Sequence, residues 1–146
     1  MANCHLVILK KPYLDAILAG RKRIESRFYK TRRAHLGRVS PGDKLFLKES
    51  SGPVCAVATV TAVRSFENLT PKQISRLKQQ YNRYIRGADE YWRSKADCKF
   101  GMLVWLKDAE RVEPVRILKK DWRAWVVLTE KENFGLLENM RVETAQ

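Results

Sequence analysis

The chain predicts an α+β domain folded around a curled or closed sheet, and three observations predict it. The apolar pattern runs strand, helix, strands, helices, strands, an order in which helices cover a sheet of neighbouring strands. Small side chains at Ala56, Ala58 and Ala62 interrupt the most β-branched stretch, as a curved sheet requires where its inner face narrows. The length, 146 residues, is that of one domain able to bury a core without disulfide or metal staples.

The first run, "CHLVIL", reads as a short strand ending at Lys10-Lys11-Pro12. Pro12 suits a first helical position, Leu14, Ile17 and Leu18 share one face, and Gly20 stops that helix. "RKRIESRFY" is a second strand, and residues 30–43 form a loop that ends in a Pro-Gly-Asp turn. "KLFLKES" and "PVCAVATVTAV" pair as a hairpin through Ser50-Ser51-Gly52. Thr70-Pro71-Lys72-Gln73 carries a capping box, and the helix it starts sets Ile74, Leu77, Tyr81, Tyr84 and Ile85 on one side until Gly87 breaks it. "ADEYWRSKA" adds one or two helical turns. "FGMLVWL" is a strand covered on both faces, with Trp105 in the core; "VEPVRIL" is a further strand and "RAWVVL" closes the sheet.

Composition narrows the function. No apolar run approaches the roughly 20 residues that span a bilayer, and the N-terminal stretch is too short for a secretory signal. Three scattered cysteines, Cys4, Cys55 and Cys98, fit a reducing, cytoplasmic setting. His5 and His35 have no metal-ligand spacing with any cysteine pair, and no Gly-rich phosphate loop or Ser-His-Asp arrangement stands out, so neither a metal nor a cofactor is expected.

Charge is the strongest bulk signal: 29 Lys and Arg face 16 Asp and Glu, a net of +13. Residues 1–48 hold twelve bases and three acids, net +9; residues 70–100 hold eight and three, net +5; the last seventeen hold two and four, net −2. Cations concentrated in two segments point to a polyanion, and nucleic acid fits better than an anionic membrane because no basic amphipathic helix exposes Trp, Phe or Leu. The expected backbone contacts are Lys10, Lys11, Arg21, Arg23, Arg32 and Arg33, with Lys72, Arg76, Arg83 and Arg86 along one helix face.

Within "ILAGRKRIESRFYKTRR", residues 17–33, seven bases surround the single Glu25. Gly20, Lys22, Glu25 and Arg27 follow the spacing G-x-K-x-x-E-x-R at a helix-to-strand junction. On a strand Glu25 and Arg27 share a face, so the carboxylate is held ionised and oriented. Such a group can read the edge of a base, can move a proton, or can simply pin helix to strand as a buried ion pair. Lys48, Ser50 and Ser51 are expected to point into the same cleft, although a polar hairpin turn accounts for them equally. Trp92 and Trp125, set among Arg and Lys, suit packing and also suit base stacking. Both join Lys48 and Ser50 as candidate nucleotide ligands.

The Gly20-x-Lys22-x-x-Glu25-x-Arg27 motif resembles the signature of the ASCH domain family, a branch of the PUA-like superfamily. "KPY" before it, the Gly42-Asp43 turn after it, and the later "EYWRSKA", "GMLVWLKDAERVEPV" and "RAWVVL" extend the resemblance to Leu128. It implies a PUA-like β-barrel of about five to seven strands with covering helices. It implies a domain over residues 1–128, with 129–146 an acidic extension, and RNA or a nucleotide bound beside the motif. A similar branch deacetylates N4-acetylcytidine. There the run also reads "ILAGRK", with Lys matching Lys22 and Arg matching Arg27, but Thr stands at the position of Glu25 and a distant Glu, here Glu67 or Glu90, completes the set. A hydrolase or ribonuclease using Lys22 and Glu25 is therefore the alternative expectation, and a coactivator-type adaptor rests on the resemblance alone.

Overall fold

A computed structural model describes residues 2–138. Its strands are β1 (Cys4–Leu9), β2 (Ile24–Tyr29), β3 (Lys44–Glu49), β4 (Val54–Phe66), β5 (Phe100–Val115) and β6 (Trp125–Val127), and its helices are α1 (Lys11–Leu18), α2 (Pro71–Ile85) and α3 (Asp89–Lys95). The six strands form one sheet in the order β2-β5-β4-β3-β1-β6. Only β1 and β3 run parallel, with α1 and β2 in the connection between them; every other neighbour is antiparallel.

The sheet curls because β4 and β5 are long and irregular. Register shifts at Val54/Ala56, Val57/Thr59 and Val60/Ala62 increase the local twist. Before the last shift Ala56, Ala58 and Val60 all face inward and are buried. After it the phase changes, and Ala62, expected among the inner small residues, lies exposed on the outside. The stretch "VEPV", expected to open a separate strand, instead continues β5 beyond Asp108, whose φ is 52°. Pro114 is tolerated there because β2 pairs only with Phe100–Trp105, which leaves one side of the outer half of β5 without a partner among the described residues.

Three apolar clusters hold these pieces. Val7, Leu45, Leu47, Met102 and Val104 fill the concave side under Leu14 and Ile17 of α1. Ile24, Phe28 and Leu103 face outward and pack under Ile74, Leu77, Ile85 and Trp92 of α2 and α3. Leu6, Phe46, Val126 and Leu136 close the third side, so the chain just beyond residue 128 is packed onto the sheet. The rest of the acidic extension, past 138, falls outside the described residues. Gly101 is required at the second cluster: a Cβ there would stand 2.5 Å from Phe28 Cδ1.

Helix α2 begins as its sequence dictates. Gln73 N donates to Thr70 Oγ1 and Thr70 N donates to Gln73 Oε1, a reciprocal cap. It ends one residue earlier than Gly87: Arg86 takes the left-handed cap position, φ 61°, and Gly87 N donates to Asn82 Oδ1.

Candidate functional site

The two edges of the sheet, β2 on one side and β1 with β6 on the other, are joined by a side chain instead of a backbone ladder. From β2, Arg27 donates through Nη2 to Ile8 O at 3.0 Å and through Nη1 to Ala124 O at 3.4 Å. Strand alternation explains why. Ile24, Ser26 and Phe28 face α2 and α3, whereas Glu25, Arg27 and Tyr29 face the seam. A cavity of about 590 Å³ opens at that seam, floored by Lys22, Glu25 and Arg27 and walled by Tyr13 and Tyr91.

Lys22 reaches the floor because Gly20, φ 78°, turns the chain under α1, where Arg21 N and Lys22 N both donate to Ala16 O. It is 3% exposed, and its Nζ donates to Ile85 O at 2.7 Å and Ile24 O at 3.0 Å and lies 3.4 Å from Glu25 Oε1. An ammonium has three N–H groups, so all are engaged. Lys22 thus ties the end of α2 to β2 and steadies Glu25. Burial lowers its pKa, with Glu25 opposing that pull.

Glu25 is 5% exposed and accepts from Ser26 N at 3.0 Å on Oε1 and from Arg27 Nη2 at 3.5 Å on Oε2. Burial alone would raise its pKa, but Lys22, Arg27 and the Ser26 N–H outweigh it and hold the carboxyl below the usual range. The carboxylate is therefore ionised at neutral pH. Of its four lone-pair sites, Oε1 uses two and Oε2 one, leaving one acceptor on Oε2.

A second tier fixes Arg27. Its guanidinium lies 5.5 Å from the Trp125 ring, which stacks on His35 with centroids 5.6 Å apart. Trp125 Nε1 donates to His5 Nδ1 at 3.1 Å, which places the His5 proton on Nε2, facing Asp43 Oδ2 at 2.8 Å. Asn3 N and Ser40 N also donate to Asp43, so the Gly42-Asp43 turn anchors the whole relay. His35, bonded to Tyr29 Oη at 2.9 Å, is pushed down to about 4 by burial and by Arg27 and stays neutral at pH 7. The two histidines serve this network; among the described residues no three His, Cys, Asp or Glu cluster as metal ligands.

The other candidate residues are dispersed. Lys10 lines the rim of the cavity. Lys11 is paired with Asp15 at 2.7 Å, Arg32 with Glu67, and Arg33 lies over the Tyr29 ring. Arg21 and Arg23 are exposed beside the α1–β2 turn, and Lys72, Arg76, Arg83 and Arg86 lie on the outer face of α2 or at its end; none of these lines the cavity. Lys48 and Ser50 line a neighbouring cleft, because the β3–β4 turn projects past the other side of Ile8 and Ala124. Trp125 is buried beneath Arg27, and Trp92 is buried against Phe28 with Nε1 donating to Asn82 Oδ1, so neither presents a free stacking face. Trp105 is half-buried, edge-on to Tyr81 outside the sheet.

Sequence reasoning missed Tyr91, Ser94 and Lys95, which with Glu90 line the cavity from α3. The signal was helical period: Tyr91, Ser94 and Lys95 are three and four apart, and burial of Trp92 turns that face toward β2. Tyr91 Oη bonds Ser26 Oγ at 2.8 Å and donates to Ser26 O at 3.1 Å, and burial raises its pKa.

The family model described as "ASCH domain" matches residues 7–134. The chain belongs to the ASCH domain family. Its fold agrees: the ASCH protein of Zymomonas mobilis superposes with a TM-score of 0.68 at 14% identity, covering 92% of this chain and 94% of that one. A mutant form of that same protein gives 0.67 at 14% identity, over 92% and 96%. A hypothetical protein from Leishmania major gives 0.51 at 16% identity, over 100% and 98%. At such identities these likenesses speak for the fold alone. Comparison with the curated proteins finds none that matches. The ASCH domain is a PUA-like fold often linked to RNA binding, and no helix of its described residues here is long and apolar enough to cross a membrane.

Proposed function

We propose that this ASCH domain binds nucleic acid, RNA by preference, and receives one base or nucleotide in the seam cavity. The observation that carries this reading is the convergence of Lys22, Glu25 and Arg27 at the floor of an open cavity whose rim holds Lys10 and Lys95. Glu25 Oε2 offers an acceptor fixed in place, and Arg27, with three of its five N–H groups engaged, keeps one on Nη1 and one on Nε. That pair complements a base edge bearing an amino group next to a ring acceptor, as cytosine does. Lys22 acts through Glu25, and the exposed cations of the chain supply attraction to phosphate.

The hydrolase alternative draws less support from the same geometry. A carboxylate held below its usual range is a weak base, and Lys22 has no N–H free for an oxyanion. The test is titration with cytidine nucleotides and single-stranded RNA, together with incubation with N4-acetylcytidine. We expect binding that loses on the order of tenfold or more from 50 to 200 mM salt, weakens in Glu25→Gln, and occurs without turnover. Affinity indifferent to both salt and Glu25→Gln would refute the reading, and turnover abolished by Lys22→Ala and Glu25→Gln would replace it with the hydrolase.

A further inference from the structure

On the far side of Ile8 and Ala124 lies a second cleft, of about 650 Å³, lined by the β3–β4 turn and by the segment between β5 and β6. Because Ile8 and Ala124 line both spaces, the two clefts adjoin along one low ridge. Its charges are Lys48, Arg116, Lys119 and Arg123 against Asp121 alone, a net of +3. Asp121 is already committed, taking Lys119 at 2.8 Å and Arg123 at 2.9 Å, and Glu132 takes Arg123 as well. Arg116 has no ion-pair partner among the described residues, and Lys48 Nζ donates only to its neighbour's carbonyl, Glu49 O. Burial and the repulsion of Lys119 and Arg116 pull Lys48 below its ordinary range, outweighing the opposing pull of Glu49.

The same cleft carries the one wholly exposed indole. Trp122 is 100% exposed and Leu118 is 87% exposed, and Trp122 has no aromatic or cationic partner among the described residues. The other three tryptophans are buried or packed against a neighbouring ring. An unused π face beside unpaired cations is the pairing by which proteins hold single-stranded nucleic acid: stacking for the base, charge for the phosphate.

We propose that this cleft binds the nucleotide next to the one in the seam cavity, with Trp122 stacking its base and Lys48 and Arg116 facing the phosphate that crosses the Ile8–Ala124 ridge. The inference rests on the seam cavity taking a nucleotide, and it makes the ligand a single strand at least two nucleotides long. Duplex is excluded because both bases must be unstacked to enter.

The test compares a cytidine mononucleotide with a single-stranded RNA hexamer in wild type, Trp122→Ala, Lys48→Gln with Arg116→Gln, and Glu25→Gln. Trp122→Ala should cut the preference for hexamer over mononucleotide by about fivefold to a hundredfold. The double variant should lower the slope of log affinity against log salt by about 0.7 for each phosphate released. Quenching of Trp122 fluorescence by the hexamer, absent in Trp122→Ala, supports the stacking directly. An unchanged preference and slope in these variants overturns the proposal and leaves Trp122 to a protein contact. Failure of the seam reading looks different: Glu25→Gln then leaves mononucleotide binding intact while Trp122→Ala still weakens the hexamer.

Discussion

Two clefts meet at Ile8 and Ala124, and they handle charge in opposite ways. On the floor of the seam cavity each cation has its acceptor: Lys22 has three, and Arg27 spans Ile8 O, Ala124 O and Glu25. In the neighbouring cleft the four cations outnumber the carboxylates that face them, Asp121 and Glu132, and Lys48 is crowded by Lys119 and Arg116. Compensated charge is rigid and directional, so it can discriminate between ligands. Uncompensated charge is strong at a distance and indifferent to sequence. The difference teaches that a net charge of +13 is no single feature here; part of it is structure and part is attraction.

The sharpest way to break the comparison is Lys22→Ala. Removing one member of a buried pair strands Glu25, Ile24 O and Ile85 O, and the expected loss is about 3–5 kcal/mol of stability, read by denaturant unfolding. A loss no larger than that of a surface lysine would show that the seam charges are not coupled. Next comes Glu25→Gln, expected to cost about ten- to a hundredfold in affinity for a cytosine ligand, measured calorimetrically. Its pH signature has a definite sign. Glu25 titrates lower folded than unfolded, so its stabilisation is complete above the ordinary carboxylate range and is lost as pH falls through the folded value. The acid unfolding limb should flatten in Glu25→Gln.

Asp121→Asn sharpens the contrast from the other side. It removes the carboxylate charge that Lys119 and Arg123 share, and oligonucleotide affinity should rise a few-fold at low salt and converge with wild type at high salt. The smallest effect is expected from Arg32→Gln, whose partner Glu67 is exposed: less than about 1 kcal/mol in thermal unfolding.

Much of this was legible in the sequence where the cause is local. The capping box at Thr70, the turn at Gly20 and the alternation that sets Glu25 beside Arg27 depend on neighbours within a few residues. What was not legible joins distant residues. The bond from Trp125 to His5 spans 120 positions, and the reach of Arg27 to Ala124 spans 97. The division of Lys48 and Ser50 from the motif follows from the parallel pairing of β1 with β3, which no periodicity encodes. Pro114 and the changed phase at Ala62 were hidden likewise, because a bulge leaves no compositional mark.

A barrel whose last joint is one guanidinium has its mechanical weak line and its pocket in the same place. Whatever seats above Arg27 also bridges the two rims of that joint. Occupancy would work as a stitch, drawing β2 toward β1 and β6 and making the shell harder to unzip from the side where its cargo enters.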